Sequence, residues 1–208
     1  PYAEQVESAF IKMHETVSGR NNQLTGVVRI CVPDGLGNFF LPSRLIRLQE
    51  KYPEVEVELL AVPMYYSLSK REVDILVTLQ KPTTGNIIIR KLTEYKFGLF
   101  ASEKYLRQRE PVKSIKDLKK HKNIGYIDDL LFDQDLKFIG ELGSGIKTQF
   151  RSSTLMTQTY AVMEGGGIAV LPYFVANQIE SLIPVLPEKS IKREFWLQVN
   201  PDTRQLAR

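Results

Sequence analysis

The chain has 208 residues, of which 43% are hydrophobic and 25% charged, with a net charge of +4. That composition supports a buried core and excludes a disordered chain, while so small a positive excess argues for neither a nucleic-acid nor a membrane partner by itself. The single cysteine, Cys31, rules out an intrachain disulfide and a multi-thiolate metal site, and it fits a reducing compartment.

The first segment, Tyr2–Ser18, places Ala3, Val6, Phe10, Met13 and Val17 on one stripe. This spacing predicts an amphipathic helix, ahead of a polar break at Gly19–Gln23. Val27–Val32 reads as a first buried strand. Pro33–Asn38 reads as a turn, and Phe40–Tyr52 as a helix with Pro42 in its tolerant first turn. Strands are expected at Val55–Val62 and Val73–Leu79, with a loop or single helical turn at Met64–Lys70 between them. This order of elements predicts a mostly parallel sheet with helices on its faces.

Ile87–Leu92 and Tyr95–Ala101 read as two further strands. Ser114 is placed to cap a short helix over Ile115–Lys120, followed by a strand at Ile124–Ile127 and a helix at Asp133–Leu142. Ile146–Pro172 then forms a strand–helix–strand unit. Lys147–Arg151 is its first strand, and Ser152, Ser153 and Thr154 supply cap chemistry for the helix. Gly165, Gly166 and Gly167 stop that helix, and Ile168–Leu171 is the strand that follows. Leu182–Leu186 and Glu194–Val199 complete the strands. The similar grammar of the two halves implies two α/β lobes with crossovers near Ala101 and Glu188.

No apolar run approaches the ~20 residues of a membrane-spanning helix, and no signal-peptide pattern opens the chain, so a cytoplasmic protein is expected. Pro1 and the unfinished stretch Asp202–Arg208 read as cut ends of something longer. Neither His14 nor His121 has a ligand partner nearby, so no metal site or cofactor is expected. The run Lys113, Lys116, Lys119, Lys120 and Lys122 lacks interleaved aromatics and reads as a solvated face. No nucleophile elbow, phosphate-loop lysine or Cys–His pairing appears, so no catalytic residue is expected.

Three strand ends run instead into polar or glycine-rich helix starts: Pro33–Asn38, Met64–Ser67 and Arg151–Thr154. Helix N-termini with hydroxyls, together with Arg151, suit a carboxylate or another small anion. Tyr65, Tyr66 and Tyr126 supply walls and hydroxyl donors. Asp34 opposes an anion there and is read as a helix cap, with pairing to an amino group on the ligand as the alternative.

These pieces resemble a known family in their order and spacing. The opening helix with Leu24–Ile30, then Leu41-Pro42, Tyr52-Pro53 and Ser67–Ile75, is similar to the effector-binding domain of LysR-type transcriptional regulators. So are Phe150–Leu155, Gly165–Pro172 and Trp196–Asp202. The resemblance implies an α/β fold of two Rossmann-like lobes, of the periplasmic-binding-protein type II kind, joined by crossover strands. It divides the chain into the end of a linker helix and loop (1–23), a first lobe (24–101, rejoined at 188–208) and a second lobe (102–187).

It further implies that a small effector, with a carboxylate or amino acid among the candidates, binds between the lobes. Gly35, Leu36, Gly37, Asn38, Tyr65, Tyr66, Ser67, Tyr126, Asp128, Arg151, Ser152 and Ser153 are the positions that carry over as effector contacts. DNA would be read by a helix-turn-helix domain absent from this chain, within a homodimer or homotetramer. The rivals are a secreted solute-binding protein of a transporter and an enzyme built on the same lobes. The first needs a secretion signal. The second needs a nucleophile or an acid–base pair in the cleft.

Overall fold

The computed structural model describes residues 25–62, 72–82, 87–131, 133 and 136–199. The predicted Tyr2–Ser18 helix, the Met64–Lys70 loop and Asp202–Arg208 therefore lie outside the described residues. The described chain forms two compact units, one holding residues up to Glu94 and from Glu194 onward, the other Tyr95–Arg193.

In the first unit, β1 (Gly26–Val32), β2 (Val55–Ala61) and β3 (Ile75–Thr78) lie parallel in the order β2-β1-β3. The end of β8 (Leu182–Val199) adds antiparallel to β3, with Ile75 opposite Val199. The carboxyl end of β1 and residues 75–77 of β3 are apolar and buried, as strands covered on both faces are. Ile30, Cys31 and Val32 are buried, and Cys31 packs with Val73 and Leu76. Burial pushes the Cys31 thiol up to about 11.

The expected turn at Pro33–Asn38 is instead a short helix, α1 (Asp34–Phe39), followed by α2 (Leu41–Lys51). Asp34 is the first helical residue and Pro33 takes the cap position, so Asp34 is not a cap. Gly37 is what lets α1 lie this close to the sheet. A Cβ there would come within 2.5 Å of the Ala61 Cβ and 2.9 Å of a Val32 methyl.

In the second unit the order is β4-β7-β5-β6. β4 (Ile88–Ser102) runs antiparallel to β7 (Ile168–Pro172), and β7, β5 (Asn123–Tyr126) and β6 (Thr148–Ser152) are parallel. Two pairs of expected strands are each a single long one: Ile88–Ser102 and Leu182–Val199 are unbroken. Each starts in one unit and ends in the other. After β4 come α3 (Glu103–Leu106) and the 3₁₀ turn Ile115–Lys120, which Ser114 caps as expected and where Asp117 completes a reciprocal capping box.

The expected helix over Asp133–Leu142 is confined to α4 (Phe138–Leu142), because Lys137 departs from helical geometry. Buried Leu136 closes a separate turn back to the Asp133 carbonyl. The helix α5 (Leu155–Met163) starts as predicted: the Thr154 hydroxyl accepts the Thr157 N–H at 3.2 Å. It ends at Gly165, whose φ of 81° is the left-handed value that glycine adopts freely. The short helix α6 (Tyr173–Ala176) follows β7.

Where the 3₁₀ turn meets β5, His121 is buried with its Nδ1 3.3 Å from the Tyr105 hydroxyl, which accepts the Lys122 N–H at 2.9 Å. Burial, helped by the charge of Arg109, lowers the imidazole from its ordinary 6.5, while Asp117 and Glu110 pull the other way.

Two outcomes follow from this packing. Gly37→Val should cost about 1–3 kcal/mol of stability by overpacking, read as a lower urea midpoint with an unchanged slope. The His121 contribution has a defined sign. Its folded value is depressed, so the unfolded chain binds the proton more tightly, and stability is full above about pH 6.5 and erodes below it. The melting temperature should fall from pH 7.5 to 5, and fall less in His121→Gln. Parallel curves for the two proteins would refute this.

Candidate functional site

The second unit places three of the expected contacts around one pocket. β5 and β6 are parallel and in register, with Gly125 opposite Arg151 and Tyr126 opposite Ser152. Both strands therefore end on the same side, which is where open α/β sheets hold ligands. Tyr126 is the last residue of β5 and is buried, and Asp128 opens the 3₁₀ turn Asp128–Leu130 directly after it.

The pocket has a volume of about 480 Å³ and is lined by Tyr126, Asp128 and Arg151 together with residues 136–140, 143–146 and Thr148. That size is in the range of small-molecule sites. Its apolar side is anchored from beneath. Phe138 is buried with its ring centroid 4.3 Å from that of Phe97, and the Arg193 guanidinium lies 5.7 Å from the same ring. Arg193 also pairs with Glu141 on α4, tying that wall to β8. A glycine-rich loop, Gly143-Ser144-Gly145, also lines the pocket, with both glycines at positive φ.

Three charged side chains line this space: Arg151, Lys137 and Asp128. Among the described residues none of the three makes an ion pair or side-chain hydrogen bond within the chain. Two cations, one carboxylate and the hydroxyls of Ser144 and Thr148 therefore have their charge and hydrogen-bonding capacity available to a ligand.

The other expected contacts are placed differently. Gly35, Leu36 and Gly37 are buried in α1, leaving Asn38 as the exposed residue of that group. Tyr65, Tyr66 and Ser67 lie outside the described residues. Ser152 is buried and its hydroxyl is engaged within the chain, accepting the Thr154 N–H at 3.1 Å. Ser153 is exposed. Lys137 and the glycine loop are not visible from the sequence because the pattern over Asp133–Leu142 is that of one plain helix. Gly143-Ser144-Gly145 was the signal that a loop wall follows it.

Among the described residues no group of three His, Cys, Asp or Glu side chains is placed to hold a metal ion. No described helix is long and apolar enough to cross a membrane.

Comparison with known proteins gives this geometry a context. Residues 21–208 match the LysR substrate binding domain family. A relative in Vibrio cholerae, the iron-regulated virulence regulatory protein IrgB, is 25% identical over 187 residues. The match takes in 88% of this chain, which spans 62% of the relative's length. The probable HTH-type transcriptional regulator LtrA of Klebsiella pneumoniae is 22% identical over all of this chain and 70% of its own.

Among solved structures, the regulatory domain of CrgA, a LysR-type transcriptional regulator from Neisseria meningitidis, superposes with a TM-score of 0.74 at 21% identity. That match covers 88% of this chain and 92% of the other. The full-length virulence activator AphB of Vibrio cholerae gives 0.71 at 21% identity, over 97% and 71% of the two chains. These likenesses fix the fold as α/β of the periplasmic-binding-protein type II kind.

Proposed function

The chain belongs to the LysR substrate binding domain family, and from that premise we propose that it is the effector-sensing part of a cytoplasmic LysR-type transcriptional regulator. In this reading it acts with a DNA-reading domain and within a homodimer or homotetramer. It binds a small metabolite rather than transforming one. The observation that carries the proposal is the pocket in the second unit, where Arg151, Lys137 and Asp128 line a ligand-sized space and make no ion pair or side-chain hydrogen bond among the described residues.

The charge count favours an anionic effector. Arg151 supplies a fork that takes a carboxylate through two parallel hydrogen bonds, and Lys137 adds a second positive charge. Asp128 would meet an ammonium or hydroxyl group, so a carboxylate that also carries an amino group fits all three. Tyr126 and Phe138 give an apolar body somewhere to rest.

A binding role also agrees with the chemistry of Cys31. Its thiol is buried, and burial pushes it up to about 11, which favours the thiol form of a core side chain near neutral pH. Sensing requires that the effector bind one arrangement of the domain better than another, since equal affinity shifts nothing.

The test is a thermal-shift screen against carboxylates, amino acids, aromatic acids and sugar phosphates. An anion-bearing class should raise the melting temperature in a concentration-dependent way. Arg151→Ala should then weaken that ligand by ten-fold or more, about 1.5–3 kcal/mol for a hydrogen bond to a charged group. A ligand that binds Arg151→Ala with an unchanged dissociation constant would remove Arg151 from the site. No shift from any class would overturn the sensor reading.

A further inference from the structure

The surface built by Glu103–Lys122 differs from the rest of the molecule in charge. It holds eight Lys and Arg against three Asp and Glu, a net +5 in a chain whose total is +4. The remainder of the protein is thus slightly negative, and the whole basic character of the chain resides in this one segment.

Each of the three acids is already engaged. Glu103 pairs with Arg107 at 2.6 Å, and Glu110 lies 3.8 Å from Lys120. The Asp117 carboxylate accepts the Ser114 hydroxyl and the backbone N–H groups of Lys113 and Ser114, which lowers its proton affinity. That leaves Lys104, Arg109, Lys113, Lys116, Lys119 and Lys122, all exposed. Among the described residues none of these six makes an ion pair.

Lys104 sits on α3, Lys116 and Lys119 on the 3₁₀ turn and Lys122 directly before β5, while Arg109 and Lys113 lie on the segment that joins the first two. Tyr105 on α3 contacts His121, and its hydroxyl accepts the Lys122 N–H, fastening α3 to the start of β5. Arg109 lies 5.7 Å from the Tyr105 ring. Asn123 donates to the carbonyls of Leu118 and His121, fixing the end of the lysine-bearing 3₁₀ turn.

We propose that this face is a contact for the phosphate backbone of duplex DNA, made by the regulatory domain itself. The proposal rests on the regulator reading above, which supplies DNA as the polyanion at hand. The side chains favour phosphate over an acidic protein. Every large exposed hydrophobic among the described residues lies outside Glu103–Lys122, whereas protein interfaces are built on an apolar and aromatic centre. They favour a duplex over a single strand for the same reason, since single-strand sites stack bases on exposed aromatics. Point charges on exposed stems make sequence-independent phosphate contacts that position a protein without reading bases.

The experiment is a fluorescence-anisotropy titration of the 208-residue chain with a labelled 25-base-pair duplex of arbitrary sequence, at several salt concentrations. Binding is expected with a dissociation constant in the range of about 10⁻⁶–10⁻⁴ M at 0.1 M salt. The log–log salt slope should be about −4 to −5, close to 0.9 per phosphate contacted.

Lys113→Glu with Lys116→Glu and Lys119→Glu should weaken binding at least ten-fold with an unchanged melting temperature. Lys51→Glu with Lys189→Glu and Lys192→Glu changes the net charge equally at exposed lysines elsewhere, and should weaken it less than three-fold.

No binding, or equal loss in the two triple variants, overturns the proposal. So does polyglutamate displacing the duplex at equal charge concentration, which would mark the face as a site for an acidic protein. The titration is carried out without effector. Lost DNA binding with a retained effector shift refutes the face alone, and retained DNA binding without any effector shift refutes the sensor alone.

Discussion

The site depends on the strand Asn123–Tyr126, which is buried at every residue and flanked by parallel strands on both sides. A parallel ladder forces neighbouring strands to finish on the same side. That constraint brings Tyr126 and Arg151 together although 25 residues separate them in the register that pairs β5 with β6. Asn123 fixes the other end of the strand. Its amide donates to the carbonyls of Leu118, His121 and Lys147, joining the 3₁₀ turn, β5 and the approach to β6. Three carbonyl acceptors fix the amide orientation and leave its oxygen buried without a partner. A buried unsatisfied oxygen is costly, so the hydrogen bonds on the nitrogen side must outweigh it.

Much of the fold was legible because periodicity and punctuation agreed. Ile168–Pro172 is apolar and buried throughout, and the helix before it carries its own start at Thr154 and its own stop at Gly165. The misreadings have physical causes. Two glycines at Gly35 and Gly37 argue for a turn on propensity, yet tertiary contact with β2 rewards a helix whose side chains leave room. The strand expected at Leu182–Leu186 stops short of the one expected at Glu194–Val199. The chain instead kinks at Leu186, which adopts a φ of 53°, and continues extended to Val199. Thr93 and Glu94 looked like a break, but nothing in them forbids extended backbone, and Lys91 bridges Glu94 and Glu194 at 2.6 Å each.

The candidate site was legible only where it lies on strand ends. Asp128 comes with the family resemblance, and Tyr126 and Arg151 follow from the rule that ligands sit beyond the carboxyl ends of parallel strands. Lys137 and the loop Gly143–Ile146 do not, because their place is set by Phe138 packing on Phe97 across some forty residues of chain. Such a contact leaves no local pattern in the sequence. The burial of Gly35, Leu36 and Gly37 was equally invisible. A glycine pair reads the same whether it opens space for a ligand or for a neighbouring strand.

The pocket and the basic surface share a piece of structure. A Cβ on Gly143 would lie 3.6 Å from an Ile115 methyl, and one on Gly145 would lie 3.2 Å from the Lys119 ammonium. The loop that walls the pocket therefore rests on the same 3₁₀ turn that carries Lys116, Lys119 and Lys120. Thermodynamic linkage makes any coupling through that turn reciprocal. If filling the pocket moves the loop against Lys119, then holding Lys119 against a phosphate must alter affinity in the pocket by the same factor. The magnitude depends on whether the turn has two discrete arrangements. The capping box at Ser114 and Asp117 and the Asn123 hydrogen bonds hold one of them firmly. The glycines at 143 and 145 are where the backbone has freedom to adopt another.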